Sequence, residues 1–288
     1  MKFGKVGVFA FTDALAAPAL AAYAQGVERL GYSALWYPEA FNYESFALGG
    51  FLLGQTERLT IASGIANIYG RDPAAAVMGH NTLNALYGGR FVLGLGVSHA
   101  PIVANARGHD YGKPLATMRS YLDGMDSAWQ IMGGGESRQV VLAALGPQMT
   151  ALSATRTLGA FPYNITPAQV ALSRAAMAGH GALICEQKVC LCTDPVLARQ
   201  TARAALKLYL GLPNYYLNWL RLGFEPADYA GDGSDRLMDA MVYWGTAEQI
   251  RAKLQAYYDA GADQVVIQTL RTDGAPGPDW AALEALAP

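Results

Sequence analysis

Short β-branched or apolar runs alternate with longer Ala-rich amphipathic segments along almost the whole chain, and few folds accommodate that rhythm. It is the signature of βα units that build a parallel sheet. Candidate strands fall at Val6 to Phe11, Ala34 to Tyr37, Thr60 to Ala66, Phe91 to Gly96, Gln139 to Ala144, Gly159 to Phe161, Ile184 to Cys192 and Gln264 to Leu270. About eight strands are what a (β/α)8 barrel needs to close. The sequence therefore predicts an α/β chain, a TIM barrel forming one domain over residues 1–288.

Helix punctuation supports this. Asp72-Pro73, Thr166-Pro167 and Asp194-Pro195 each put a capping oxygen before a proline at the first helical position, where the missing N–H costs nothing. Thr246-Ala247-Glu248-Gln249 reads as a capping box. Gly31, Gly179, Gly211 and Gly261 follow apolar helical runs, where a left-handed residue would end them. Two stretches break the rhythm. Residues 211–243, rich in Pro, Gly, Asp and aromatics, are expected to form a helical insertion over the site. Ser98 to Pro114 is expected to be an active-site loop.

Composition excludes other classes. With 52% hydrophobic residues, 15% charged and 32 glycines over 288 residues, the chain is neither disordered, collagenous nor a coiled coil. A net charge of −2 with scattered Lys and Arg argues against a nucleic-acid partner. No apolar stretch of membrane-spanning length occurs, so the mean hydropathy of +0.14 is assigned to a buried core. Lys2 and Lys5 ahead of Val6 to Phe11 mimic an export signal, but Asp13 interrupts the run and Pro18 follows. Cys185, Cys190 and Cys192, odd in number and confined to one segment, suit a reducing cytoplasm and complete no zinc site.

A barrel of this kind carries its chemistry on the residues just after each strand. Those are Thr12 and Asp13, Pro38 and Glu39, Asn67 to Arg71, Ser98 and His99, Gly146 to Gln148, Tyr163 and Asn164, and Gln268 to Arg271. Gly94-Leu95-Gly96-Val97-Ser98-His99 starts like a dinucleotide fingerprint, but His99 replaces the third glycine and Pro101 follows. Read as a nucleophile elbow, Ser98 needs a later histidine, and none lies beyond His180. His80 and His180 fall in or at the end of predicted helices; His99 stands at the rim, where an imidazole can exchange protons with a substrate or simply bond within its loop. Leu145-Gly146-Pro147-Gln148-Met149 is either a plain βα turn or a helix N-terminus open to a phosphate. Glu39 is either a site carboxylate or a solvated loop charge.

Four segments together resemble the luciferase-like monooxygenase superfamily, and within it the F420-dependent oxidoreductase branch. They are Leu35 to Glu39; Ser63 to Ile68 with Arg71-Asp72-Pro73; Gly88 to Pro101; and Leu142 to Met149. The likeness runs from Val6 to Leu270. It implies a bacterial luciferase-like (β/α)8 barrel, usually a homodimer, that binds coenzyme F420 or FMN at its C-terminal mouth and acts on a small molecule. The family's non-prolyl cis peptide carries onto Gly64-Ile65, pressing one face of the flavin, with Ala66 and Asn67 at the ring edge. Gly146, Pro147, Gln148 and Met149 match the cofactor-phosphate loop, and Ser98 and Tyr163 are assigned with them to cofactor contact.

Sugar-phosphate dehydrogenases of the superfamily place a His after the second strand and a Glu after the fourth; this chain has Ala40 and His99 there. The resemblance thus implies F420-dependent hydride transfer to or from a small organic substrate, with His99 and Glu39 handling the proton. An FMN-dependent monooxygenase and a non-catalytic deazaflavin-binding protein are the alternatives.

Overall fold

The computed structural model describes residues 3–133 and 138–288. Among the described residues there are ten parallel strands: β1 (Val6–Phe9), β2 (Ala34–Tyr37), β3 (Thr60–Ser63), β4 (Ala66–Asn67), β5 (Phe91–Gly96), β6 (Val140–Leu142), β7 (Gly159–Ala160), β8 (Ala182–Cys190), β9 (Val242–Trp244) and β10 (Gln264–Thr269). The order β1-β2-β3-β5-β6-β7-β8 is closed by β10, which pairs with β8 along Ile184–Val189 and with β1 along Val6–Val8. This is the expected (β/α)8 barrel, surrounded by helices.

Alternation along the strands decides what fills it. Phe9, Ala34, Trp36, Ala62, Val92, Val141, Phe161, Ile184 and Val266 form one buried cluster drawn from or beside every barrel strand. Trp36 stacks on Phe161 at 4.5 Å between ring centroids, and its indole N–H donates to Gln264 Oε1 at 3.1 Å. Their neighbours Val8, Leu35, Ile61, Leu93, Leu183 and Ile267 point the other way, into the layer between barrel and helices.

The expected third strand divides into β3 and β4 around a cis Gly64-Ile65 peptide bond. β3 pairs with Phe91 and Val92, and β4 with Leu95 and Gly96. At the gap, Ser63 Oγ donates to the Gly94 carbonyl and accepts from its N–H, both at 2.9 Å, supplying the bonds the ladder lacks. A Cβ on Gly94 would lie 2.0 Å from the Ser63 carbonyl oxygen, so the close approach requires glycine.

Asp72 and Asp194 cap their helices through backbone N–H groups, and the Thr246–Gln249 capping box is complete; Thr166 stands at its N-cap without a side-chain bond. Gly31, Gly179 and Gly261 are left-handed, but Gly211 is not: at φ −90° it stays in the right-handed region because the chain turns directly into the next helix. The insertion is helical, with Pro213–Arg221, Pro226–Tyr229 and Asp235–Met241, and ends in β9, a strand the sequence reading did not separate. Lys188 and Val189 pair with both β9 and β10, which places those two strands on opposite edges of β8. The Ser98–Pro114 loop contains a short π-helical turn, Ile102–Ala106. No helix among the described residues is long and apolar enough to cross a membrane.

Candidate active site

A cavity of about 720 Å³ opens at the C-terminal ends of the barrel strands. That is within the size range of small-molecule and cofactor pockets. Its wall includes Phe9 and Phe161 from the barrel interior, Gly64, Ile65 and Asn67 from the β3–β4 break, Ser98 and His99 after β5, and Gly146 to Met149 after β6. Tyr209, Leu212, Asn214 and Tyr215 close it from the insertion side.

Helix Pro147–Arg156 begins at this wall. Gly146 is its N-cap and offers no side-chain cap, Pro147 occupies the first turn, and the turn holds no acidic residue. The N–H groups of Gln148 and Met149 have no intrahelical partner and are left for water or a ligand. A side chain at Gly146 would meet nothing within 4 Å, so the space before the helix is open.

His99 is half-buried on this wall. Its Nδ1 is sealed from solvent without a hydrogen-bond partner among the described residues. Burial lowers its pKa below the usual 6.5, because an imidazolium would need two solvated or bonded N–H groups and one has neither. His99 is therefore a neutral imidazole near neutral pH. Its ring lies 5.5 Å from that of Tyr215.

Glu39 also lines the cavity, but it is not hydrogen-bonded to His99. Its carboxylate is held by the Arg71 guanidinium and accepts from the N–H of Asn67 at 2.7 Å and of Ser45 at 3.3 Å. Arg71 also reaches Glu44 at 2.9 Å. Burial alone would lower the Arg71 pKa, but the Glu39 bond and charge carry it above its ordinary value. The pair anchors the β3–β4 break: Glu39 holds the Asn67 backbone while Asn67 Oδ1 accepts from Tyr69 N–H at 3.0 Å. Ala66 takes no part in the cavity wall; it is fully buried, pairs with Leu95, and faces the barrel–helix layer.

Ser98 has a left-handed backbone, φ 57°, and its carbonyl accepts from the Tyr111 hydroxyl at 3.1 Å and from Asn214 Nδ2 at 3.3 Å. Loop and insertion are thereby tied to one oxygen beside His99. Tyr163 donates to Gln268 Oε1 at 2.9 Å, and its hydroxyl lies 3.1 Å from that of Tyr209.

Beneath Tyr163 lies a charged cluster that the sequence reading passed over. Lys188 Nζ sits 3.9 Å from the Tyr163 ring centroid, 3.1 Å from Glu186 Oε1 and 2.5 Å from Asn164 Oδ1. Both charged residues are 1% exposed. Burial lowers the Lys188 pKa and raises that of Glu186, each opposed by the other's charge. Among the described residues no group of His, Cys, Asp and Glu is arranged to hold a metal.

A family model described as luciferase-like monooxygenase matches residues 1–264. The chain belongs to that family. This luciferase-like chain is 31% identical over 102 residues to a Mycobacterium tuberculosis protein provisionally named a coenzyme F420-dependent oxidoreductase; the match covers 35% of this chain and 29% of that protein. The fold superposes on the coenzyme F420-dependent tetrahydromethanopterin reductase of Methanopyrus kandleri, with a TM-score of 0.76, 16% identity, and coverage of 100% and 98% of the two chains. It also superposes on the oxygenating constituent of a Pseudomonas putida 3,6-diketocamphane monooxygenase solved with FMN, with a TM-score of 0.71, 15% identity, and coverage of 100% and 97%. The chain is an oxidoreductase of the luciferase-like superfamily.

Sequence reasoning missed Arg71 as the partner of Glu39, Tyr209 and Tyr215 as wall residues, and the Glu186–Lys188 pair. Only the last left a local signal: two charges at i and i+2 in a predicted strand must share one face.

Proposed function

We propose that this enzyme transfers a hydride between coenzyme F420 and a small organic substrate. The observation that carries the reading is the wall of the mouth cavity, where an uncapped helix N-terminus, an apolar floor and a neutral imidazole meet. The residues suit the group. Gly64 and Ile65 would back one face of the ring system, Asn67 would meet its edge, and the Gln148 and Met149 N–H groups would receive the phosphate. When bound, F420 supplies the carbon that gives or takes the hydride. His99, uncharged near neutrality, accepts or returns the proton that accompanies the hydride at the substrate oxygen. Glu39 and Arg71 keep Asn67 and the β3–β4 break in place, a positioning role.

F420 is preferred because relatives of this chain carry it in their names. The FMN-bound monooxygenase neighbour favours the second reading, an FMN-dependent monooxygenase. Fluorescence titration of the purified chain with each cofactor separates the two. Tighter binding of F420 is expected; tighter binding of FMN overturns the proposal. F420 binding with no turnover across enones, alcohols and aldehydes would instead mark a non-catalytic deazaflavin carrier.

We also propose a homodimer. Met78 and Leu86 on helix Pro73–Leu86 and Ile131 on the adjoining helix Pro114–Met132 are exposed apolar side chains that a second copy could cover. Sedimentation should give twice the mass of the 30.6 kDa chain; a monomer at all concentrations refutes it.

A further inference from the structure

The cavity hydroxyls are not equivalent. Tyr163 donates to Gln268 and lies against the Tyr209 hydroxyl, and Tyr111 donates to the Ser98 carbonyl. The Tyr215 hydroxyl has no hydrogen bond to any described residue, and it is not among the polar atoms sealed from solvent without a partner. A hydroxyl that is neither paired nor sealed, on a residue of the wall, opens into the cavity.

Its placement is fixed from several sides. Tyr215 sits in the first turn of helix Pro213–Arg221. Its ring packs edge-on to Tyr209 at 5.2 Å and stacks with Trp219 at 6.2 Å. Asn214 ties the start of the helix to the Ser98 carbonyl, and Trp219 Nε1 ties its middle to the Asn164 carbonyl at 3.1 Å. Across the cavity corner stands His99, ring to ring at 5.5 Å. Its Nδ1 is sealed, so its accessible nitrogen is Nε2.

The charge census narrows what this corner receives. Among the described wall residues, Glu39 is neutralised by Arg71, His99 is uncharged, and Arg221 is exposed and hydrogen-bonded to Asn218 Oδ1 at 2.8 Å. The surrounding wall is apolar, with Ile102, Leu115, Leu145, Leu212 and Leu217. A buried ammonium on the substrate would lie here without a partner, a costly arrangement, and the one cation among the described wall residues that a carboxylate could meet, Arg221, is exposed rather than buried.

We propose that the Tyr215 hydroxyl donates a hydrogen bond to the oxygen of an uncharged, apolar-bodied alcohol or carbonyl substrate, holding that oxygen beside His99. Burial keeps the phenol protonated well above its usual range, so the donor is present at every working pH. The proposal rests on the oxidoreductase reading for its consequence in catalysis but is testable as binding alone.

The test compares the wild-type chain with Tyr215→Phe, which preserves the ring and its packing. Saturation-transfer NMR on the cofactor-free chain measures binding of cyclohexanone, cyclohexanol and methylenecyclohexane, the last a shape control without oxygen. The expected result is that the ketone and alcohol weaken by roughly three- to tenfold in Tyr215→Phe while the olefin is unchanged, as for loss of one neutral hydrogen bond. Equal weakening of all three assigns Tyr215 to packing and overturns the proposal. So does no change for the oxygenated probes, or a wild type that binds them no better than the olefin. Because no cofactor is added, failure of F420 to bind in the titration above would sink the hydride-transfer reading and leave this comparison intact.

Discussion

Single side chains here owe their protonation to what their neighbours can accept. His80 is 1% exposed; its Nδ1 lies 3.2 Å from Asn81 Oδ1, and its Nε2 accepts the Gln139 N–H at 3.1 Å. A proton on Nε2 would set one N–H against another. Burial, only partly offset by the Asn81 bond, lowers its pKa below 6.5, as burial does for His99. Between those depressed values and 6.5 the unfolded chain binds more protons than the folded one, so stability rises with pH in that window. The contribution is full above about pH 6.5 and is lost on acidification through it. Urea unfolding at about pH 7.5 and 5.5 should show lower stability at the acid value, with a shallower fall in His80→Gln. Equal slopes in the two proteins would remove His80 from the account. At His99, replacement by Gln is expected to cut turnover about a hundredfold or more while leaving F420 affinity nearly unchanged, the mark of a lost proton-transfer group. Steady-state kinetics beside the fluorescence titration decides it. Sequence position alone brought His99 to the rim, because it directly follows an apolar strand. It could not show that Glu39 belongs to Arg71, a residue 32 positions away.

Among elements, β8 carries the largest electrostatic commitment. Its Glu186 and Lys188 sit two residues apart on the face that also carries Ile184 into the barrel. Charges this deep persist only when paired. Lys188→Met should leave Glu186 uncompensated and cost about 3–5 kcal/mol, whereas replacing both, Glu186→Gln with Lys188→Met, should recover most of the loss. Denaturant midpoints of the single and double variants read this directly; a double variant no better than the single one would show that the pair is not the source. The damage should extend to the insertion. Asn164, left-handed at φ 55°, accepts from Lys188 through its side chain and from Trp219 through its carbonyl. Loosening one end of that residue loosens the footing of helix Pro213–Arg221. The sequence marked the insertion by its aromatics and prolines but could not orient it, since these contacts join residues 55 positions apart.

For the whole molecule, the eight barrel strands were legible because each is a short apolar run bounded by caps and glycines, and closure of a parallel βα series follows from their number. The ends were less so. The strand beginning at Gln139 is β6 over Val140–Leu142, and that beginning at Thr60 is two strands. The rim residues were legible as a set, because the fold fixes which end of each strand bears them. The insertion was expected over the site, but which residues form the far wall was not legible. Tyr209 reaches the cavity from the last turn of helix Pro195–Leu210 and Tyr215 from the excursion that follows it, and no period locates either there.

The carbonyl of Ser98 has one further consequence for traffic through the mouth. A segment from the barrel and a segment from the excursion both hold that single oxygen. A broad guest that parts the loop from the excursion gives up the Asn214 tether, at roughly 0.5–1.5 kcal/mol. A toll of that size slows admission without forbidding it. Breadth would then be screened at the doorway, before any chemistry, and screened separately from the polarity sensed within.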